Sequence, residues 1–350
     1  MTARGPDFGV ALPARVPVAA LVEAAREAEA LGYAHVWVTD DRLQRDVFTV
    51  LAAMATATSR IRLGPGVTNP YSRRPALVAT AVATLDELSG GRAVLGLGAG
   101  GTNHRALGVR REAPVAALRE SIGLIRDLLA GKEVNLEGRV IRADAARLDF
   151  EPLRSSLPIY LGARGPRMLE LAGELADGAI VGNVAAPDGW RYALGHVAAG
   201  AERAGRDLDS VRTVAWVYCS VDDDDAAALD AVRPMVATSL ATSRSVLPDL
   251  GLELPVDYAR TMDALGWSLE EDAVARAGAT IPVETLRFFA VAGNAADCAA
   301  ALQKLLDRFP RIGHVAIVPA APRGAGPADV VRRFAAEVMP HVAPAVGVAS

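Results

Sequence analysis

Short continuous runs of Val, Ile, Leu and Ala alternate, along nearly the whole chain, with longer stretches whose apolar positions return every three or four residues. The first pattern is that of strands buried on both faces, the second that of helices with one apolar stripe. Residues 8–12, 35–40, 61–67, 93–98, 158–162, 179–183, 213–221 and 314–319 read as strands, and a helical pattern follows each, from 18–32 after the first to PADVVRRFAAEVM after the last. Eight strand-then-helix units predict an α/β fold of the (β/α)8 TIM-barrel type. An open doubly wound sheet has the same periodicity, because closure leaves no mark on it.

Two segments break the alternation. Residues 134–152 read as a hairpin-like excursion, giving an insertion of about 132–156 after the fourth strand. Residues 240–286, punctuated by Pro248, Pro255 and Pro282, read as a helical insertion after the seventh. Neither has the character of a separate domain, so 1–350 is expected to be one barrel domain. The length of 350 residues suits a barrel with insertions, and 51% hydrophobic against 22% charged residues supplies a sizeable core. A net charge of −4 leaves no electrostatic footprint for nucleic acid or an acidic membrane. Cys219 and Cys298 have no CxxC spacing, and no stretch has the length or character of a membrane span or secretory leader, so a reduced cytoplasm is the expected location. The five histidines show no metal-ligand spacing, and Asp222 to Asp225 stand at a helix start where negative charge offsets the dipole, so no metal is expected.

Chemistry concentrates at strand ends. Gly64-Pro65-Gly66-Val67-Thr68-Asn69 closes the third strand and GLGAGG (96–101) the fourth, leaving little side-chain bulk where a flat ligand would lie. Gly96, Gly98 and Gly101 match GxGxxG, but three complete units precede them, which argues against a dinucleotide-binding first turn. Gly162-Ala163-Arg164-Gly165-Pro166 leads from the fifth strand into a helix with proline at its start. The unpaired N–H groups there suit a phosphate, and a plain βα turn is the alternative. Asp40 and Asp41 end the second strand, at the face where barrel enzymes collect catalytic groups, although either could simply cap the next helix. Arg73 is expected either to pair with a nearby carboxylate or to stand solvated.

These stretches, with VTDDRLQRDVF (38–48), LPIYLGARGPRMLELAGELADG (157–178) and FFAVAGNAADC (288–298), resemble the luciferase-like superfamily of flavin and deazaflavin oxidoreductases. The similarity runs from about Phe8 to Arg333 and is greatest to the methylenetetrahydromethanopterin reductase branch, which uses coenzyme F420. The resemblance implies a cofactor floor at Gly64, Gly66, Val67, Thr68 and Asn69, with a cis peptide at Gly66–Val67. It implies backbone N–H groups from Gly98, Ala99 and Gly100, a phosphodiester grip by Gly162, Ala163, Arg164, Gly165 and Pro166, and further cofactor contacts from Asp40 and Gly182. A homodimer or higher homo-oligomer acting on a small molecule is implied as well.

The chain departs from that branch in three places. Asp41 stands where many F420-dependent relatives have histidine. Ala11 stands where the reductases carry a first-strand glutamate, and Gly101 where they carry an acid after the fourth-strand glycines. Asp40, Asp41 and His104 remain as candidate proton-handling groups. The expected activity is hydride transfer between F420 and an organic substrate other than the pterin. An FMN-dependent monooxygenase and a non-catalytic flavin- or deazaflavin-binding protein are the alternatives.

Overall fold

The computed structural model describes residues 5–41, 43–100 and 106–342. In chain order the elements are β1 (Asp7–Pro13), α1 (Val18–Ala30), β2 (His35–Thr39), α2 (Val47–Ala57), β3 (Arg62–Pro65), α3 (Pro75–Ser89), β4 (Leu95–Gly98) and α4 (Pro114–Leu129). Next come β5 (Val134–Glu137), β6 (Arg142–Ala146), β7 (Ile159–Ala163), α5 (Pro166–Leu175), β8 (Gly178–Gly182), α6 (Pro187–Arg203), β9 (Arg212–Val221) and α7 (Asp225–Ser243). The chain finishes with α8 (Val256–Ala264), α9 (Glu271–Gly278), α10 (Val283–Phe289), β10 (Ala290–Gly293), α11 (Ala295–Arg308), β11 (Ile312–Pro319) and α12 (Pro327–Arg333).

The strands hydrogen-bond in the order β3-β2-β1-β11-β9-β8-β7-β4. Parallel bridges Leu63 to Ala93 and Thr68 to Leu97 join the two ends of that series. The open sheet is thereby excluded and the fold is a (β/α)8 TIM barrel. One strand is additional to the eight expected: β10 pairs with the upper part of β9 through Ala290–Tyr218 to Gly293–Val221. Its four residues follow α10 with no turn residue between them, so the apolar run merges with the helix in the sequence. The two insertions take the expected forms. Strands β5 and β6 make an antiparallel hairpin, and helices α8 to α10 occupy the second segment.

Two compact units can be distinguished, Gly9–Ile180 with His196–Arg212, and the remainder of the described chain. In the first, Val36, Trp37, Val38, Leu63, Leu95, Leu97 and Leu161 are inaccessible or nearly so, as strands covered on both faces require. Helices α5 and α6 approach backbone to backbone: a Cβ on Gly173 would lie 1.9 Å from the Val197 carbonyl oxygen and one on Gly200 1.9 Å from that of Glu170. In the second unit Asp224 caps α7 by accepting from the Ala226 and Ala227 N–H groups, and Asp225 accepts from the Asn294 N–H. The aspartate run is thus a helix start.

Two side chains tie loops to neighbouring elements. Arg92 spends its guanidinium on the carbonyls of Ser89, Ile61, Ala55 and Thr58 and on the Thr58 hydroxyl, joining the ends of α2 and α3 to the start of β3. Glu29, at the end of α1, accepts from the N–H groups of Ser59, Arg60 and Ile61 at 3.0, 2.6 and 2.8 Å. Burial acts to raise the Glu29 pKa, but these N–H donors outweigh it and hold the group down at about 2. A pKa depressed in the folded state gives stability that is complete above the ordinary carboxylate range and is lost as pH falls through it towards 2. Thermal denaturation of Glu29→Gln is therefore expected to show a Tm lower by roughly 2–4 °C at pH 7. The deficit should shrink between pH 4.5 and 2; a constant deficit across that window would contradict the linkage.

Candidate functional site

The carboxyl ends of β2, β3, β4 and β7 lie together in the first unit. Past β3, the Gly66–Val67 peptide is cis, as the resemblance implied. The segment is strapped to both neighbouring strands: Gly66 N–H donates to the Val38 carbonyl at 2.8 Å, Thr68 N–H to that of Gly96 at 3.0 Å, and Gly98 N–H to that of Thr68 at 2.9 Å.

The glycines of β4 and β7 do not leave an open floor here. A Cβ on Gly96 would lie 2.2 Å from the Pro65 carbonyl oxygen, one on Gly98 2.6 Å from Val67 Cγ2, and one on Gly162 3.2 Å from Val67 Cγ1. The space that glycine vacates on two strands is filled by the chain of a third. Val67 rests on Gly98 and Gly162, so any flat ligand would face the backbone of 66–68 and not bare glycine.

Beside this platform Asp40, whose side chain is 13% exposed, is held from three directions. Thr68 Oγ1 donates to its Oδ2 at 2.7 Å, while Arg73 donates from Nε to Oδ2 at 2.8 Å and from Nη2 to Oδ1 at 3.1 Å. Arg73 Nη2 also reaches Asp46 Oδ2 at 2.7 Å, and its guanidinium stands 5.6 Å from the centre of the Phe48 ring. Hydrogen bonding to Asp40, ahead of the attraction of both carboxylates, raises the Arg73 pKa above its ordinary value. Burial acts to raise Asp46, but the Thr49 N–H and Arg73 more than offset it, so its carboxyl lies below the ordinary range. Asp46 is also the cap of α2, accepting from the N–H and the hydroxyl of Thr49 at 2.9 Å each. Sequence reasoning held helix capping open as the alternative to a chemical role for Asp40 or Asp41. The capping falls to Asp46, and Asp40 is the centre of an ion-pair cluster.

Asn69 turns its side chain on its own loop. Its Oδ1 accepts from the N–H groups of Tyr71 and Ser72 at 3.0 and 2.9 Å, and its Nδ2 donates to the Ser72 hydroxyl at 2.8 Å. Thr68 and Asn69 are both buried, with the Thr68 hydroxyl bonded to Asp40 and the Asn69 amide to its own loop. Asp41, half-buried, follows Asp40 at the end of β2. Gly98 ends β4, followed by Ala99 and by Gly100 at φ 74°, a left-handed conformation that glycine takes without strain. His104 and Gly101 lie outside the described residues.

At β7, Gly162 and Ala163 end the strand, Arg164 follows, and Gly165 and Pro166 occupy the N-cap and first position of α5. The helix has no capping side chain and no acid in its first turn. Pro166 has no N–H, and Met168 and Leu169 donate theirs to the Gly165 carbonyl at 3.1 and 3.0 Å, so this start offers an anion the helix dipole and the backbone N–H groups that precede Met168. Ala11 lies fully buried in β1 in register with Trp37, so no carboxylate stands at that position.

In the second unit Gly182 ends β8, and Asn183 follows at φ 55°. Its Nδ2 donates to Ser239 Oγ at 3.2 Å, which lies 2.8 Å from the Tyr218 hydroxyl. Its Oδ1 is buried with no partner among the described residues. Sequence reasoning passed over this group. Its one local signal was asparagine after a strand-ending glycine, a residue that tolerates left-handed backbone.

Comparison with known proteins agrees with this geometry. The chain is 37% identical over 334 residues to a 5,10-methylenetetrahydromethanopterin reductase of Methanolobus tindarius, covering 95% of this chain and 99% of that one. An F420-dependent glucose-6-phosphate dehydrogenase of Nakamurella multipartita is 35% identical over 221 residues, 61% of this chain and 64% of the relative. Among solved structures, the coenzyme F420-dependent tetrahydromethanopterin reductase of Methanopyrus kandleri superposes with a TM-score of 0.85 at 28% identity, covering 97% of this chain and all of that one. The sequence model for luciferase-like monooxygenases matches residues 6–309, and the chain belongs to that family.

Proposed function

We propose that the protein is an F420-dependent oxidoreductase that moves a hydride between the deazaflavin and a small organic molecule other than methylenetetrahydromethanopterin. The supporting observation is the uncapped, acid-free start of α5 at Gly165, in one unit with the Val67 platform. That turn suits a phosphodiester-bearing cofactor, and both the Methanopyrus reductase structure and the Nakamurella dehydrogenase are named as F420-dependent. Gly162 to Pro166 would hold the phosphate, the backbone of 66–68 would support the ring, and Asp40, fixed by Arg73 and Thr68, would orient the loop beside it. F420 supplies the hydride chemistry when bound, so the chain's task is binding, orientation and exclusion of water.

The substrate inference rests on the chain's own residues. Ala11 offers no proton and no charge, and Gly101 none either, so the two carboxylates expected beside a pterin are missing. A transition state that develops charge there would meet no compensating group. The test is a thermal-shift titration with F420 and, in parallel, FMN, followed by turnover assays. A ligand that binds only the native state raises Tm in proportion to RT ln(1 + [L]/Kd). F420 is expected to stabilise and FMN not, with negligible reduction of methylenetetrahydromethanopterin by reduced F420. Stabilisation by FMN alone would replace the cofactor, and efficient pterin reduction would overturn the substrate inference.

A further inference from the structure

The helical insertion after β9 carries a side-chain pair that neither the platform nor the α5 turn uses, and all of it lies in the second unit. The last turns of α7 return to the carboxyl end of β8, where Ser239 Oγ accepts from Asn183 Nδ2 at 3.2 Å. That is the end of a barrel at which enzymes hold their ligands. Arg244 caps α7 about 7.5 Å further along the helix axis. Its guanidinium carbon lies 3.7 Å from the centre of the Trp267 ring, a face-on van der Waals contact.

Trp267 is held there at a conformational cost. Its φ is 55°, left-handed backbone that glycine or asparagine takes more cheaply than a bulky aromatic residue. Three contacts enforce it: Trp267 N–H donates to the Met262 carbonyl at 2.9 Å, its indole Nε1 donates to Asp263 Oδ1 at 2.7 Å, and the Tyr258 ring meets it edge-on at 6.4 Å. The fixed ring in turn fixes the end of a side chain that would otherwise swing freely. A guanidinium carries its five N–H donors in its own plane, so one that lies on a ring directs them past the ring. Among the described residues none accepts from Arg244 and no carboxylate pairs with it. Arg244 is exposed, so a ligand reaches those donors without rearrangement. A guanidinium of this kind matches a carboxylate or a phosphate, whose oxygens it grips in pairs, and immobilisation in advance lowers the entropic cost of the grip.

We propose that Arg244, stacked on Trp267, binds an oxyanion group of the substrate, a carboxylate or a phosphate monoester. This rests on the reading of the protein as an oxidoreductase of a small organic molecule, and adds the charge that molecule carries. The test is titration of the purified protein without F420, by tryptophan fluorescence and isothermal calorimetry, with glycerol 3-phosphate, glycerate and uncharged glycerol at constant ionic strength in chloride. Saturable binding of at least one of the two anions is expected and none of glycerol, and the anion that binds identifies the group. Affinity should fall about tenfold or more in Arg244→Gln through loss of a charge-assisted pair, and less in Arg244→Lys, which keeps the charge without the fork. Arg244 is exposed, so both variants should fold, which circular dichroism and Tm check, and F420 should raise the Tm of Arg244→Gln as much as that of the parent. Failure of both anions to saturate, equal binding of glycerol, unchanged affinity in folded Arg244→Gln, or loss of F420 stabilisation in that variant would each overturn the proposal. Anion binding that depends on Arg244, in a protein that F420 does not stabilise, would support the site and overturn the cofactor assignment instead.

Discussion

Replacing Gly96 by alanine is expected to destabilise the protein by about 3 kcal/mol, the upper part of the usual range for overpacking. The new methyl would lie 2.2 Å from the Pro65 carbonyl oxygen and 3.2 Å from Val67 Cγ1. The nearer obstacle is backbone, pinned by the Thr68 N–H bond to Gly96 and the Gly98 N–H bond to Thr68, so no rotamer change relieves it. Tm should fall by roughly 6–12 °C. F420 affinity should fall further than stability predicts, because the strand that must move is the one under the proposed ring. Gly195→Ala on α6 is the control. Nothing lies within 4 Å of a Cβ there, and alanine in a helix should be neutral or stabilising by up to about 1 kcal/mol. Denaturant titration of both variants decides the matter, and equal stabilities would refute the interlock of β3 with β4.

Arg73→Met should cost about 2–3 kcal/mol, the lower side of what breaking a buried pair costs, since Arg73 is 28% exposed. The loss comes from stranding Asp40, left with the Thr68 hydroxyl alone, more than from the bonds themselves. A cycle with Asp40→Asn makes this measurable. The double variant should be more stable than the sum of the single effects implies, with a coupling of about 1 kcal/mol or more. The acid limb should change too. Asp46 is depressed in the folded state partly by Arg73, so its contribution is present above the ordinary carboxylate range and is lost as pH falls. Without Arg73 that loss should be smaller. Additive single effects would show that the cluster is incidental.

Much of this was legible in the residues and some of it was not, for identifiable reasons. The eight barrel strands and their helices follow from continuous apolar runs set against a 3.6 period, and the α5 turn from a strand ending in Gly162 with Pro166 beyond it. Glycines in β4 showed only that side chains were missing. That Pro65 and Val67 fill the gap is a fact about register between strands some thirty residues apart in sequence, which no local pattern carries. For Arg73 a carboxylate partner and a solvated side chain both stood open, and its second partner, Asp46, had no local sign beyond its place before a helix. The ion pair of Arg154 with the buried Asp86 was invisible for the same reason, since it spans 68 residues. β10 was hidden because a four-residue strand that continues a helix without a break has no boundary to read.

The bonds of Arg92 bear on how the chain is made. The oxygens it holds belong to residues 55, 58, 61 and 89, so the ends of two successive helices cannot be fastened until residue 92 has left the ribosome. Most of these links span 31 to 37 positions, a short loop to close for a barrel of 350 residues. The second and third strand-helix units can therefore lock together early in synthesis, long before β11 exists to complete the ring. The remaining strands would then be added to a rim already set, which spares the nascent chain a long exposure of its most apolar segments.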